Sequence, residues 1–289
     1  MEQLRRDGYE VVEQFYEPDS LGTALRDFDA VIIRSATKIK EPQIDAAKGG
    51  RLKLIIRAGV GVDNIAVPYA EAAGIQVRNT PRASSNAVAE LALALLFSCA
   101  RNISIAGHTM RENKWEKKAY SKGFELSGKT MGVVGYGRIG SLVGQKAQAL
   151  GMNVLSYVNR HKPEGCECDT MHFVSPDEVF AQSDVIVLCA PGSGKSIVDA
   201  ESLAKMKDGV VIVNVSRGAN VDEAALLDAL NSGKVKAAGL DVWMSEKDPN
   251  WALAQHPAVS CTPHIGAGTK EAQKRIGAEL VDIIEHFEA

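Results

Sequence analysis

Met131-Gly132-Val133-Val134-Gly135-Tyr136-Gly137-Arg138-Ile139-Gly140 is the stretch on which the reading of the fold turns. Its first four residues suit a short buried strand, and the residues after it, Ser141 to Leu150, suit a helix that Gly151 can end. A glycine triplet alone is a weak sign, but the strand before it and the helix after it are the context that a dinucleotide-binding turn needs. Gly135 permits a tight turn, Gly137 lets backbone approach a pyrophosphate, and Gly140 lets helix and strand pack closely. The N–H groups of the first turn, from Arg138 and Ile139 onward, then face phosphate at the positive helix end. The expected cofactor is NAD or NADP.

Downstream, the next apolar run ends Leu155-Ser156-Tyr157-Val158-Asn159-Arg160. An acidic residue there would grip a ribose 2′-hydroxyl. Asn159 can hydrogen-bond a ribose instead, and Arg160 suits a 2′-phosphate, so use of NADP is expected. Further apolar runs at Asp184–Cys189, Val210–Val215, Ala237–Asp241 and Ala258–Cys261 join Met131–Val134 and Val154–Tyr157. Six strands with helical gaps predict a doubly wound parallel sheet. Upstream, shorter runs at Ala30–Arg34, Leu52–Arg57 and Ile75–Val77 predict a second, smaller α/β region. A long helical pattern begins near Ser84 and runs past Arg101, and Lys270–Phe287 reads as one amphipathic helix with Ala272, Ile276, Leu280, Ile283, Ile284 and Phe287 on one face. The expected domains are 1–98, rejoined by 267–289, and 99–266.

The net charge of −3 argues against nucleic acid or an anionic membrane as a general partner. The longest apolar stretch, Ala87–Phe97, is interrupted by Glu90 and too short for a bilayer, and no signal-like run opens the chain, so a cytoplasmic enzyme is expected. The five cysteines, Cys99, Cys166, Cys168, Cys189 and Cys261, lie mostly in apolar runs and are expected to be buried and reduced. Cys166-Glu167-Cys168 is too tight for the usual zinc pair and has no following partner pair, so no metal is expected. Gly194-Lys195-Ser196 resembles the end of a triphosphate-binding loop, but that loop needs glycine where Cys189 stands.

Three polar residues fall in or after the late strands: Arg217, Glu246 and His264. In open α/β sheets ligands bind beyond the carboxyl ends of the strands, which places all three toward a cofactor. Oxidising a 2-hydroxy acid removes a hydroxyl proton as hydride leaves carbon, and an imidazole titrates near neutrality. Glu246 can fix the tautomer of His264, and Arg217 can hold a carboxylate and polarise a carbonyl oxygen. Each residue alone has an ordinary structural reading; the joint pattern after a dinucleotide loop carries the argument.

These blocks, with Arg34-Ser35-Ala36-Thr37, Arg57-Ala58-Gly59-Val60-Gly61-Val62-Asp63-Asn64, Lys114–Lys118, Asn214-Val215-Ser216-Arg217-Gly218 and Pro263–Ala272, resemble the D-isomer-specific 2-hydroxyacid dehydrogenases from about Ala30 to the end of the chain. The resemblance implies two Rossmann-like domains closing around a cleft: the cofactor domain, and a smaller flavodoxin-like substrate domain that would lack its usual first strand, since residue 1 falls near the first helix. It implies Arg217, Glu246 and His264 as the catalytic set. Ala190, Pro191, Val215, Ser216, Asp241 and Gly266 would line the cofactor. The loop Ala58–Gly61, with Gly59, Val60 and Gly61, would bind the substrate carboxylate. Arg34 and Arg57 would hold a substrate phosphate, helped by Lys117 of a neighbouring subunit in a homodimer formed through the cofactor domain, and Ser35 would also bind substrate. Independently, arginine forks match phosphate oxygens, and both arginines end candidate strands. Other members of the fold reduce unphosphorylated 2-oxo acids or act as cofactor-sensing corepressors. Nothing follows residue 289, so the regulatory domains of some relatives, and serine feedback through them, are not expected.

Overall fold

The computed structural model describes residues 1–157, 165, 167–192 and 194–287. It contains two compact units, residues 85–266 and residues 1–84 joined by 267–289.

In the larger unit, β4 (Thr130–Val134), β5 (Asn153–Tyr157), β6 (Met171–Phe173), β7 (Val185–Leu188), β8 (Val210–Asn214), β9 (Val235–Leu240) and β10 (Val259–Cys261) form one parallel sheet. Its order is β10-β9-β8-β7-β4-β5-β6. The chain moves from β4 outward through β5 and β6, then returns to the other side of β4 to begin β7. That reversal is the switch point at which a doubly wound sheet opens a crevice. The strands are almost wholly apolar because both faces are covered. One face packs α5 (Ser85–Arg101) and α7 (Arg138–Ala149) around Leu96, Met131, Val133 and Val143. The other packs α8 (Pro176–Gln182), α9 (Ala200–Lys205) and α10 (Glu223–Ser232) around Ile186, Leu188, Ile212 and Leu226. A short α11 (Trp251–Ala254) precedes β10.

In the smaller unit, β1 (Ala30–Ile33), β2 (Leu54–Arg57) and β3 (Gln76–Asn79) are parallel and adjacent in that order. The helices α1 (Glu2–Arg6), α2 (Pro18–Ala24), α3 (Glu41–Ala47) and α4 (Val67–Ala72) precede or connect them. Ile55 of β2 faces Ile44 and Ala70. Its neighbours Leu54 and Ile56 face Ile276 and Leu280 of α12 (Lys270–Glu285). Alternate residues of one strand therefore serve two helical layers. Arg275 donates to the carbonyl of Ala83 at 2.8 Å, and Glu279 accepts from its N–H at 3.3 Å, so α12 is also tied to the last residues before the larger unit.

Four expectations need correction. The division falls at Ser84/Ser85 and not after residue 98, because Ala89, Ala92, Leu95, Leu96 and Cys99 of α5 pack into the larger sheet. The sheet has a further edge strand, β6, too short to leave an alternation in the sequence. The long helix breaks at Asn102, whose φ of 55° is left-handed, and α6 (Ile103–Arg111) leaves at 68° to α5. Of the described cysteines, Cys99 is buried and its thiol is pushed up to about 12 by desolvation, but Cys168 and Cys261 are exposed, in a turn and at the end of an edge strand. Among the described residues no single helix is long and apolar enough to cross a membrane.

Candidate active site

The glycine turn lies at the switch point. Gly135, at φ +94°, sits so close to the residue after β7 that a Cβ on it would lie 2.7 Å from the Ala190 backbone. A Cβ on Gly140 would lie 2.1 Å from the Gly135 carbonyl oxygen, so helix α7 can seat on β4 only without a side chain there. At Gly137 a Cβ would meet nothing within 4 Å. Gly137 is the N-cap of α7 and no side chain caps the first-turn N–H groups of Arg138, Ile139 and Gly140. The turn is thus closed where strand and helix must touch and open where a pyrophosphate would lie, which fits a dinucleotide. Pro191 is exposed nearby, whereas Val215, Ser216 and Gly266 are buried. Asn159 and Arg160, expected at the ribose, lie outside the described residues, as do Cys166 and Ser193.

Strands β8, β9 and β10 run side by side, and Arg217, Glu246 and His264 all follow their carboxyl ends. His264 Nδ1 meets Glu246 Oε1 at 2.5 Å. With Nδ1–H donating to the carboxylate, Nε2 is left for proton transfer. His264 has φ +54°, a conformation costing a non-glycine residue about 1–3 kcal/mol. The buried Asp241 holds it there. The Asp241 carbonyl accepts the His264 N–H at 2.8 Å, and its carboxylate accepts Thr262 Oγ1 at 2.6 Å, Ile265 N–H at 2.8 Å and Gly266 N–H at 2.9 Å. Asp241 therefore fastens the histidine loop, in addition to the cofactor contact expected of it. A cavity of about 260 Å³ lined by Trp243, Trp251, Cys261 and Pro263 borders the Glu246–His264 pair.

Arg217 is half-buried, and its Nη1 donates to the Ser216 carbonyl at 2.7 Å. Gly218 follows it because a Cβ there would lie 2.0 Å from the Trp243 carbonyl carbon.

In the smaller unit, Arg34 and Ser35 are exposed after β1, while Arg57, half-buried at the end of β2, folds over its own loop. Its Nη1 donates to the Ala58 carbonyl at 3.0 Å and occupies the space of a Cβ on Gly59. Two residues that escaped the sequence reading shape this loop. Asn79 donates to the Val60 carbonyl at 2.5 Å, and the Thr80 N–H donates to the Gly59 carbonyl at 3.1 Å. Asn64 donates to the carbonyls of Arg34 and Thr37 at 3.0 and 2.7 Å, joining the two arginine-bearing loops. Only Asn79, at the end of β3, leaves even a faint signal in the sequence.

The sequence pattern of the D-isomer specific 2-hydroxyacid dehydrogenase NAD binding domain matches residues 93–266. The chain belongs to the D-isomer specific 2-hydroxyacid dehydrogenases. It is accordingly an NAD-dependent oxidoreductase. Hydroxypyruvate reductase of Thermotoga maritima is 45 % identical over 97 % of this chain and 92 % of its own length. D-3-phosphoglycerate dehydrogenase of Mycobacterium tuberculosis is 41 % identical over 92 % of this dehydrogenase, which spans 50 % of that longer protein. A glyoxylate reductase crystal structure from Paecilomyes thermophila superposes with a TM-score of 0.85 at 36 % identity, covering 93 % of this chain and 83 % of that one.

Proposed function

We propose that the protein interconverts D-3-phosphoglycerate and 3-phosphohydroxypyruvate, the redox step that feeds serine biosynthesis. The bound dinucleotide supplies the hydride acceptor at its nicotinamide ring. His264, oriented by Glu246, takes the hydroxyl proton from the substrate and returns it in reduction. Arg217 holds the carboxylate and polarises the carbonyl oxygen. Among the described residues no protein acceptor takes the N–H groups of Val60 and Gly61, which suits them to carboxylate oxygens. Arg57 is the observation that carries the phosphorylated reading: a half-buried guanidinium folded over that loop offers fixed charge to a group at carbon 3. Arg34 and Ser35 add exposed donors.

The 45 % identity with the Thermotoga maritima hydroxypyruvate reductase, over nearly the whole of both chains, favours a second reading, the same reaction without the phosphate. NADH oxidation with 3-phosphohydroxypyruvate beside hydroxypyruvate and glyoxylate separates the two. A higher kcat/KM for the phosphorylated acid supports the first; a preference for hydroxypyruvate replaces it with the second.

Two further properties belong to this reading. Asn159 and Arg160 let NADPH serve beside NADH. The protein is a homodimer through the larger unit: α6 buries no residue of its own and exposes Ile103 and Met110, and Trp115 beyond it is 78 % exposed. Sedimentation of wild type and Ile103→Asp checks this, with dimer expected for the first and monomer for the second.

A further inference from the structure

The turn that carries Arg217 is built on three buried polar side chains, which is an expensive choice unless each finds partners. Asn214, Ser216 and Asn220 are 1 %, 7 % and 0 % exposed. Asn220 Nδ2 donates to the Ser216 hydroxyl and to the Ala190 carbonyl, both at 2.9 Å. The Ser216 hydroxyl donates to Asn214 Oδ1 at 2.8 Å. Asn214 Nδ2 donates to the Arg217 carbonyl at 2.8 Å, and the Asn220 N–H donates to the same carbonyl at 3.1 Å. The ring closes on Arg217. The Asn220 carbonyl in turn accepts the N–H groups of Ile197 and Val198, at 2.8 and 2.9 Å, where the loop after β7 ends. One buried side chain and its own peptide group thus join the loop after β7 to the turn after β8.

We infer that Asn220 is a positioning residue: it sets the Arg217 turn against the Ala190 loop, and through it the grip of Arg217 on the substrate carboxylate. The inference rests on Arg217 serving as the carboxylate and carbonyl ligand. Asn220 touches no ligand itself, since its remaining Oδ1 is buried and meets no partner. An apolar side chain of the same size would fill the volume as well; what it would lack is the donor to Ala190 and Ser216. Stability alone gives no reason to keep an unpaired buried oxygen, whereas positioning does.

The test is a double-mutant cycle on the full chain, with kcat and KM for hydroxypyruvate and 3-phosphohydroxypyruvate and NADH affinity by fluorescence. Asn220→Leu is expected to raise KM for the acid and lower kcat/KM by about 10- to 100-fold, with Kd for NADH within about threefold. In an Arg217→Lys background the same change is expected to cost less than about threefold, because the grip it supports is already gone. Should Asn220→Leu fold poorly, Ser216→Ala opens the ring by one hydroxyl and is expected to give the same KM effect at about 3- to 10-fold. Unchanged kcat/KM in Asn220→Leu, or in Ser216→Ala where that variant replaces it, overturns the inference. So does an equal loss in both backgrounds, which would mark a merely structural role. If Arg217→Lys itself leaves KM for the acid unchanged, the assignment of Arg217 fails, and the inference falls with it.

Discussion

The turn after β4 and the turn after β8 solve one problem by opposite means. Each must carry the chain from the carboxyl end of a central strand to where a ligand is met. Residues 135–140 do so by removing side chains: Gly140 seats under Gly135, and Gly137 leaves open space. Residues 214–220 do so by burying side chains and pairing them, so that Arg217 stands on a ring of amides and a hydroxyl. The first turn leaves its backbone N–H groups uncapped, as the proposed hold on a pyrophosphate needs; the second presents one side chain in one orientation. Where strand and helix touch, at Gly135 and Gly140, the first turn tolerates no added atom, whereas the second tolerates volume but not lost donors.

The largest expected effect follows from that contrast. Gly140→Ala places a Cβ against the Gly135 carbonyl, so β4 and α7 must part; NADH affinity measured by fluorescence is expected to fall more than about 30-fold and stability by about 1–3 kcal/mol. If affinity holds, the glycine turn is not the phosphate site. Next comes the other unit. Arg57→Ala is expected to lower kcat/KM for 3-phosphohydroxypyruvate by about 100-fold and for hydroxypyruvate by less than about fivefold, as removal of a charge-assisted phosphate contact should. Equal losses would mean that Arg57 shapes the loop and does not read the phosphate. Smaller again, kcat/KM with NADPH is expected within about tenfold of that with NADH, if Arg160 meets a 2′-phosphate; a far larger NADH preference would remove Arg160 from the site.

The smallest effect tests the sheet beneath both turns. Burial raises the Asp184 carboxyl, but the Thr130 N–H and Lys207 outweigh it and hold the group below its ordinary 3.8. A carboxyl depressed on folding contributes stability above its unfolded value, and loses it as pH falls through the lower folded value. Asp184→Asn is therefore expected to cost about 1 kcal/mol at pH 7, and the gap to wild type should close below about pH 4. Thermal melts at pH 7 and pH 3 check the sign; a gap that widens in acid would contradict it.

The same contrast explains what could be seen in the sequence. Glycine spacing and apolar runs report backbone needs directly, so the switch point, the paired sheet strands and the α12 face were legible. Arg217, Glu246 and His264 stood out because charge at the end of an apolar strand is conspicuous. Asn214 and Asn220 did not, because an amide's role depends on which carbonyl lies opposite, and that is set by strands distant in sequence. Asn64, Asn79 and Asp241's hold on the His264 loop were hidden for the same reason. The break at Asn102 was missed because neither glycine nor proline marks it, only an asparagine able to adopt the left-handed region. The boundary at Ser85 was missed because α5 is buried on all but a narrow stripe through Asn86, Glu90 and Arg101, and a helix buried on most sides does not declare which sheet it joins.

The Glu246–His264 pair as the proton-transfer group of hydride exchange is the centre of this account, and His264→Gln tests it most directly. Turnover of 3-phosphohydroxypyruvate and hydroxypyruvate is measured beside NADH affinity on the same preparation. The expected result is kcat lower by about 10²–10⁴-fold with Kd for NADH unchanged. Turnover within tenfold of wild type, with the cofactor still bound, would show that another group moves the proton.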